Sequence, residues 1–237
     1  MTPVIVIRPQ PGCDATVAAA QQRGLDAHGF PLFRVAATIW QAPAPDSFDA
    51  LLIGSANALR LGGAALASYA GKPAYVVGMA TARIARDAGL NVVCTGSGGL
   101  QAALANVQPG HARLLRLSGR ERLELATPLG CTIAERIVYA SNPQAMPTPL
   151  RELLGRAGER QALVLLHSAE AARHFAQQCA VHHLARNKIV LAAMGPRIAD
   201  AAGAGWARIA TAPKPDDGVL LALVDEMCQT GDGLKQG

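Results

Sequence analysis

Aromatic side chains are scarce in this sequence, at 4% of its 237 residues. So few flat rings leave little on which a flavin or a run of nucleic-acid bases could stack. Long apolar stretches are missing too: no run approaches the ~20 residues that a membrane helix needs. At the N-terminus only Val4 to Ile7 are apolar before Arg8 and Pro9, too short a core for a secretory leader. The five cysteines, at 13, 94, 131, 179 and 228, are odd in number, scattered, and never arranged C-x-x-C. That pattern speaks against a disulfide framework or a zinc ribbon and fits a reducing cytoplasm. Basic residues exceed acidic ones by five, but no basic run or nucleic-acid module accompanies them. An anionic small molecule suits this balance as well as any nucleic acid.

Half of the residues are hydrophobic, with Ala, Leu, Val and Gly prominent. They cluster in short strand-like runs: Val4 to Ile7, Ala50 to Ile53, Ala74 to Val77, Val92 to Cys94, Arg113 to Leu117, Ile133 to Tyr139, Leu163 to Leu166, Ile189 to Ala192 and Ala207 to Ala210. Helical segments follow most of them. Asp14 is placed to cap ATVAAAQQR before Gly24, Ser55 to cap ANALRL before Gly62, and Gly89 to close ATARIARDA. Strands alternating with helices of this size predict parallel sheets covered on both faces.

The pattern also repeats. LLIGSANALR and AYVVGMATARIARDAG in the first half are echoed by LVLLHSAEAAR and VLAAMGPRIADAAGAG in the second. Ser55 and Ser168 lie 113 positions apart, Gly78 and Gly195 117, and a third strand–helix element follows each pair. Two copies of one βαβ architecture are expected. The Pro-rich stretches TIWQAPAPDSF and SNPQAMPTP flank one copy on both sides. The expected domains are therefore a discontinuous one, 1–35 plus 143–237, and an inserted one, 36–142, joined by two connecting strands that act as a hinge. No order is expected for the tail QTGDGLKQG.

Ligands of open parallel sheets bind beyond the carboxyl ends of the strands, where helix N-termini present free N–H groups. Small residues stand at those ends: Ser55 and Ala56 after Gly54, then Gly78, Met79, Ala80 and Thr81, then Ser118 and Gly119, Ser168 and Ala169, and Gly195 and Pro196. They would let a carboxylate or phosphate approach backbone amides without a cage of cations. Each is also explained as an ordinary tight turn or helix cap. Catalytic sets of other kinds do not emerge. RLGG and GSGG lack the spacing of a phosphate or dinucleotide loop, neither Ser55 nor Ser168 sits in G-x-S-x-G, and His167, His174, His182 and His183 near Cys179 match no zinc spacing. No metal and no nucleotide cofactor is expected.

The ordered set IRPQPG, SANAL, YVVGMATARIARDAG, RLSGRER, IVYASNP, LLHSAEAARHFA, MGPRIADAA and APKPDDGVLLAL resembles the uroporphyrinogen-III synthase family from about residue 4 to 226. The resemblance implies an α/β fold of two flavodoxin-like domains, with parallel sheets flanked by helices, a two-stranded linker and an active cleft between the domains. It implies cofactor-free cyclisation of hydroxymethylbilane, a linear tetrapyrrole with eight carboxylates, to uroporphyrinogen III with loss of water and inversion of ring D. The ring A hydroxyl leaves to give an azafulvene, ring D attacks through its substituted carbon, and a spiro intermediate rearranges. Unassisted closure gives the type I isomer, so the enzyme's task is mainly to position a flexible chain.

By position, the resemblance makes Tyr139 the linker tyrosine that assists departure of the hydroxyl, and Thr81 a cleft threonine. Ser55, Asn57 and Ser168 become strand-end substrate contacts, and Arg8 follows the first strand in the same cleft. Gly54 and Arg197 depart from the family pattern, which favours Thr at the first and Thr or Ser at the second; Arg197 is a candidate carboxylate contact. On spacing alone Tyr139 would read as a packed strand residue. The implied setting is a cytoplasmic monomer that acts on a small molecule, receives it by transient handover from hydroxymethylbilane synthase, and binds neither nucleic acid nor membrane. A two-lobed binding protein for an anionic small molecule would share the cleft and release its ligand unchanged, and a flavoprotein would be yellow.

Overall fold

The computed structural model describes residues 1–156 and 161–233. The order is β1 (Val4–Val6), α1 (Gly12–Gln22), β2 (Ala27–Gly29), β3 (Phe33–Ala37), β4 (Ala50–Ile53), α2 (Ala56–Leu61), β5 (Pro73–Val77), α3 (Met79–Asp87), β6 (Asn91–Gly96), α4 (Leu100–Leu104), β7 (Arg113–Gly119) and β8 (Thr132–Pro143). Then follow α5 (Thr148–Gly155), β9 (Ala162–Leu166), α6 (Ala169–Val181), β10 (Ile189–Ala193), α7 (Pro196–Ala202), β11 (Arg208–Thr211) and α8 (Asp217–Gly233). Two compact lobes result, one from Met1–Arg34 with Pro143–Gly237, the other from Val35–Asn142. β3 and β8 run through the two changeovers and are hydrogen-bonded neighbours.

In the first lobe the sheet order is β2-β1-β9-β10-β11, every pair parallel. The second lobe has β3-β8-β7-β4-β5-β6, parallel from β8 to β6. Setting β3 aside, β8-β7-β4-β5-β6 reproduces the first arrangement with β7 and β8 in the places of β1 and β2. The pair that opens the first lobe closes the second. That is why the internal repeat, read along the chain, aligns β4 through α4 with β9 through α8 and then stops.

Strands β1, β4, β9 and β10 are buried along their whole length, as a sheet covered on both faces requires. Alternate residues feed different cores. Ile5, Val164 and Leu191 pack with Phe175 of α6 and Leu150 of α5, while Val4, Val6, Leu165 and Ala192 pack with Leu220 and Val224 of α8. In the second lobe Leu51, Ile53, Val76 and Leu117 meet α2 and α3, and Leu52, Tyr75 and Leu114 meet α4. In the strand-to-helix units β1–α1, β4–α2, β5–α3, β6–α4, β9–α6, β10–α7 and β11–α8 the chain passes into the helix from the carboxyl end of the strand.

Three local readings change. Asp14 lies in the first turn of α1 rather than capping it; its backbone N–H donates to Gln10 Oε1 at 3.2 Å, and Gln10 Nε2 donates back to its carboxylate at 2.7 Å. β2 and β3 lie within segments that sequence periodicity leaves unstructured, because β2 is three residues long and β3 alternates only partly. Finally, α8 continues beyond Gln229 to Gly233, while residues 234–237 lie outside the described residues.

Candidate active site

In a sheet of this topology the strand order reverses at one point, and the helices on its two sides depart to opposite faces, opening a crevice. In the second lobe that point falls between β7 and β4. A cavity of about 300 Å³ lies there, lined by Gly54 and Ser55 after β4, Gly98 and Gly99 before α4, Ser118 and Gly119 at the end of β7, and Tyr139 of β8. Arg116 and the segment from Glu121 to Leu125 complete its wall.

Each lining residue has a local reason to be where it is. Ser55 has extended backbone angles, and its Oγ accepts the Asn57 N–H at 3.2 Å, capping α2. Gly119 pairs with Tyr139 across a register shift between Ser118 and Gly119. A Cβ on Gly119 would stand 2.6 Å from Cε2 and Cζ of the Tyr139 ring and 3.0 Å from its Oη. The tyrosine thus occupies the volume that a side chain at 119 would need. Beside it the Ser118 hydroxyl is buried with no hydrogen-bond partner among the described residues, a polar group left unsatisfied in a cavity wall.

Arg116 sits in β7 among apolar neighbours and is 7% exposed. Its guanidinium donates to Glu135 Oε1 at 2.6 Å and to the Leu123 carbonyl at 2.9 Å, and Arg122 Nε donates to the other Glu135 oxygen at 2.7 Å. Gln101 holds the same segment further on, donating to the Ala126 carbonyl at 3.1 Å and accepting its N–H at 2.8 Å. These contacts pin the β7–β8 connection over a further cavity of about 400 Å³ lined by Arg116, Arg122, Thr127 and Glu135. Sequence reasoning passed over Arg116, although an arginine inside an otherwise apolar strand is itself a signal.

At the carboxyl edge of the first lobe, Arg8 Nη1 donates to Asp217 Oδ2 at 2.7 Å and to Thr16 Oγ1 at 3.2 Å. His167 Nε2 lies 3.0 Å from Asp217 Oδ1, close but off the line of a formed hydrogen bond. The imidazole and guanidinium hold the Asp217 carboxyl at about 2, below its ordinary 3.8. Ser168 accepts the Ala171 N–H at 3.1 Å and caps α6, and Ala169 is that helix's first residue. Gly195 precedes α7, whose first two residues, Pro196 and Arg197, are exposed. His167 and Asp217 were not among the sequence-derived candidates; no local pattern joins residues 50 positions apart.

The structure therefore gathers Ser55, Ser118, Gly119 and Tyr139 around one cavity. Ala56, Asn57, Gly78, Met79 and Ala80 begin the neighbouring helices without lining it, and Asn57 Oδ1 instead accepts from Arg60 at 3.4 Å. Thr81 is 5% exposed, on the buried face of α3 with Ala82 and Ala85. No described helix is long and apolar enough to cross a membrane.

The chain is similar to solved structures. It aligns with uroporphyrinogen-III synthetase from Helicobacter pylori at a TM-score of 0.63 and 15% identity, covering 96% of this chain and 100% of that one. A mutant uroporphyrinogen III synthase from the extremely thermophilic bacterium Thermus thermophilus aligns at 0.54 and 17%, covering 97% and 100%. At these identities the likeness establishes the fold. No curated protein matches in sequence. The family model described as uroporphyrinogen-III synthase HemD matches residues 14–222, most of the chain. This protein therefore belongs to the uroporphyrinogen-III synthase family, the cyclising lyases of haem biosynthesis.

Proposed function

We propose that the crevice at the β7/β4 switch point is where this synthase controls ring closure of hydroxymethylbilane, with Tyr139 assisting loss of the ring A hydroxyl. The single observation that carries this reading is the packing of Tyr139 against Gly119 in the wall of a cavity beside an unsatisfied Ser118 hydroxyl. The phenolic O–H is a hydrogen-bond donor, so it can donate a hydrogen bond to the departing hydroxyl. The hydroxyl leaves as water with one added proton, while the pyrrole nitrogen supplies the electrons and gives up its own N–H proton, so the net loss is one water and the azafulvene is neutral. The leaving group is activated by its own ring, so the protein's larger contribution is to hold ring D where its substituted carbon attacks.

The rest of the site suits a substrate with many carboxylates. The net charge of +5 and the small residues at strand ends favour anions without a metal or cofactor, while the arginines at 116 and 122 are engaged by Glu135. We place Ser55, Ser118 and Gly119 among the groups that meet the substrate, and Arg8, Ser168 and Ala169 among those on the carboxyl edge of the first lobe. Thr81, enclosed in α3, supports that helix rather than the chemistry. Transient handover from hydroxymethylbilane synthase in the cytoplasm would spare an unstable bilane from closing unturned. Analysis of the isomers made from hydroxymethylbilane by wild type and Tyr139→Phe tests the reading: the variant should turn over more slowly and still form type III. Full activity in a normally folded Tyr139→Phe would remove the tyrosine from the mechanism.

A further inference from the structure

The switch points of the two sheets can be compared residue by residue. Ile53 pairs with Leu117 in the second lobe, and Leu165 with Val6 in the first. Ser55 and Ser168 each cap the helix that follows, and matching them sets Gly54 against His167 and, one strand over, Ser118 against Arg8. Where the second lobe has two small residues and a cavity, the first has an imidazole and a guanidinium, and the Asp217 carboxylate lies between them.

The half of this arrangement made by Arg8 and His167 is built in. The Arg8 guanidinium lies so close over the start of α1 that a Cβ on Gly12 would stand 2.6 Å from its Nε, and Thr16 takes a further Arg8 hydrogen bond at 3.2 Å. The His167 side chain is 7% exposed; its Nε2 lies 3.0 Å from Asp217 Oδ1 without forming a hydrogen bond, and among the described residues its Nδ1 has no hydrogen-bond partner. Asp217 is the carboxylate that faces this buried imidazole, and because their contact is misaligned the ring keeps hydrogen-bonding capacity for a better-placed carboxylate. Asp217 differs from both: its side chain is 48% exposed and enters from the first turn of α8.

We propose that the β1/β9 switch point of the first lobe is a carboxylate-binding site formed by Arg8 and His167, occupied in this structure by the protein's own Asp217. A carboxylate on a ligand displaces Asp217, gains the Arg8 hydrogen bonds, and meets His167 along a straighter line than Asp217 reaches from its helix. In assigning the incoming group to an acetate or propionate arm of a tetrapyrrole, the proposal rests on the function proposed above; the site itself rests on the geometry.

Acetate is the probe. It is titrated into the full-length protein while the His167 ring nitrogens are followed by NMR, in wild type, in Asp217→Asn, and in Asp217→Asn with Arg8→Met. Removing the resident charge should lower the acetate midpoint about tenfold, the size of one charge-assisted hydrogen bond no longer competed for. Adding Arg8→Met should abolish the saturable shift. Equal midpoints in wild type and Asp217→Asn, or no saturable shift in Asp217→Asn, would overturn the proposal. Asp217→Ala is the second variant, and failure of both to fold would make Asp217 a structural ion-pair partner and reject the site. Isomer analysis on the same wild-type preparation separates the two readings. Type III formation without the acetate response rejects the site alone; the acetate response without type III formation rejects the tetrapyrrole assignment alone.

Discussion

Replacing Gly119 with alanine puts a methyl carbon 2.6 Å from two carbons of the Tyr139 ring and 3.0 Å from its hydroxyl oxygen. Carbon atoms in contact settle no closer than about 3.5 Å, so the ring has to retreat by about 1 Å. Overpacking of this kind costs ~1–3 kcal/mol, which lowers the Tm of a chain this size by several degrees. A displacement of about 1 Å at a positioned group can cost ~10²-fold in rate. Thermal melts and single-turnover assays on Gly119→Ala should show both losses. The clash has a specific partner, so in a Tyr139→Ala background the same methyl should cost less than ~0.5 kcal/mol, a non-additivity that a double-mutant cycle reads directly. A Gly119→Ala protein with wild-type Tm and wild-type turnover would refute the reasoning, and equal costs in both backgrounds would place the damage elsewhere.

Tyr139→Phe keeps the ring and its packing, so it should fold normally and turn over more slowly, by less than the ~10²- to 10⁴-fold of full general-acid catalysis, with type III still the product. If it makes only type I, the hydroxyl orients ring D instead. Thr81→Ala, inside α3, should lose ~1 kcal/mol of stability in a denaturant melt and change turnover little. Asp217 carries a carboxyl lowered from 3.8 to about 2 by His167 and Arg8, so its contribution is complete above 3.8 and fades as the pH falls towards 2. Melts across that window should fall less steeply for Asp217→Asn than for wild type; parallel curves would show that the contact contributes nothing. Burial pushes the thiols of Cys13 and Cys179 up to about 11 and 12, so thiol reagents at neutral pH should spare both until the chain unfolds.

The parts of the fold legible in the sequence are those set by continuous burial. ALLI, ALVLL and IVLAA are apolar throughout because both faces of their strands are covered, and the caps Ser55 and Ser168 announce the helices that follow. β2 escapes notice because it is short and only partly buried. Asp14 misleads because the competing cap comes from the Gln10 side chain, which local propensity does not reveal. In the site, strand-end reasoning finds Ser118 and Gly119 but not their setting. That Tyr139 fills the space above Gly119, and that Arg116 reaches Glu135, depend on the pairing of β7 with β8, a tertiary fact. His167 and Asp217 meet only because β9 ends and α8 begins at the same edge of one sheet.

The central claim is that this chain directs closure of hydroxymethylbilane towards the turned isomer, and the most direct measurement supplies that substrate, oxidises the products and separates the porphyrins. Spontaneous closure sets the background, measured in parallel with heat-denatured protein. The account predicts uroporphyrin III in excess, rising with enzyme concentration and with no metal or nucleotide added. Uroporphyrin I alone, at the background rate and with folded protein present, would contradict it.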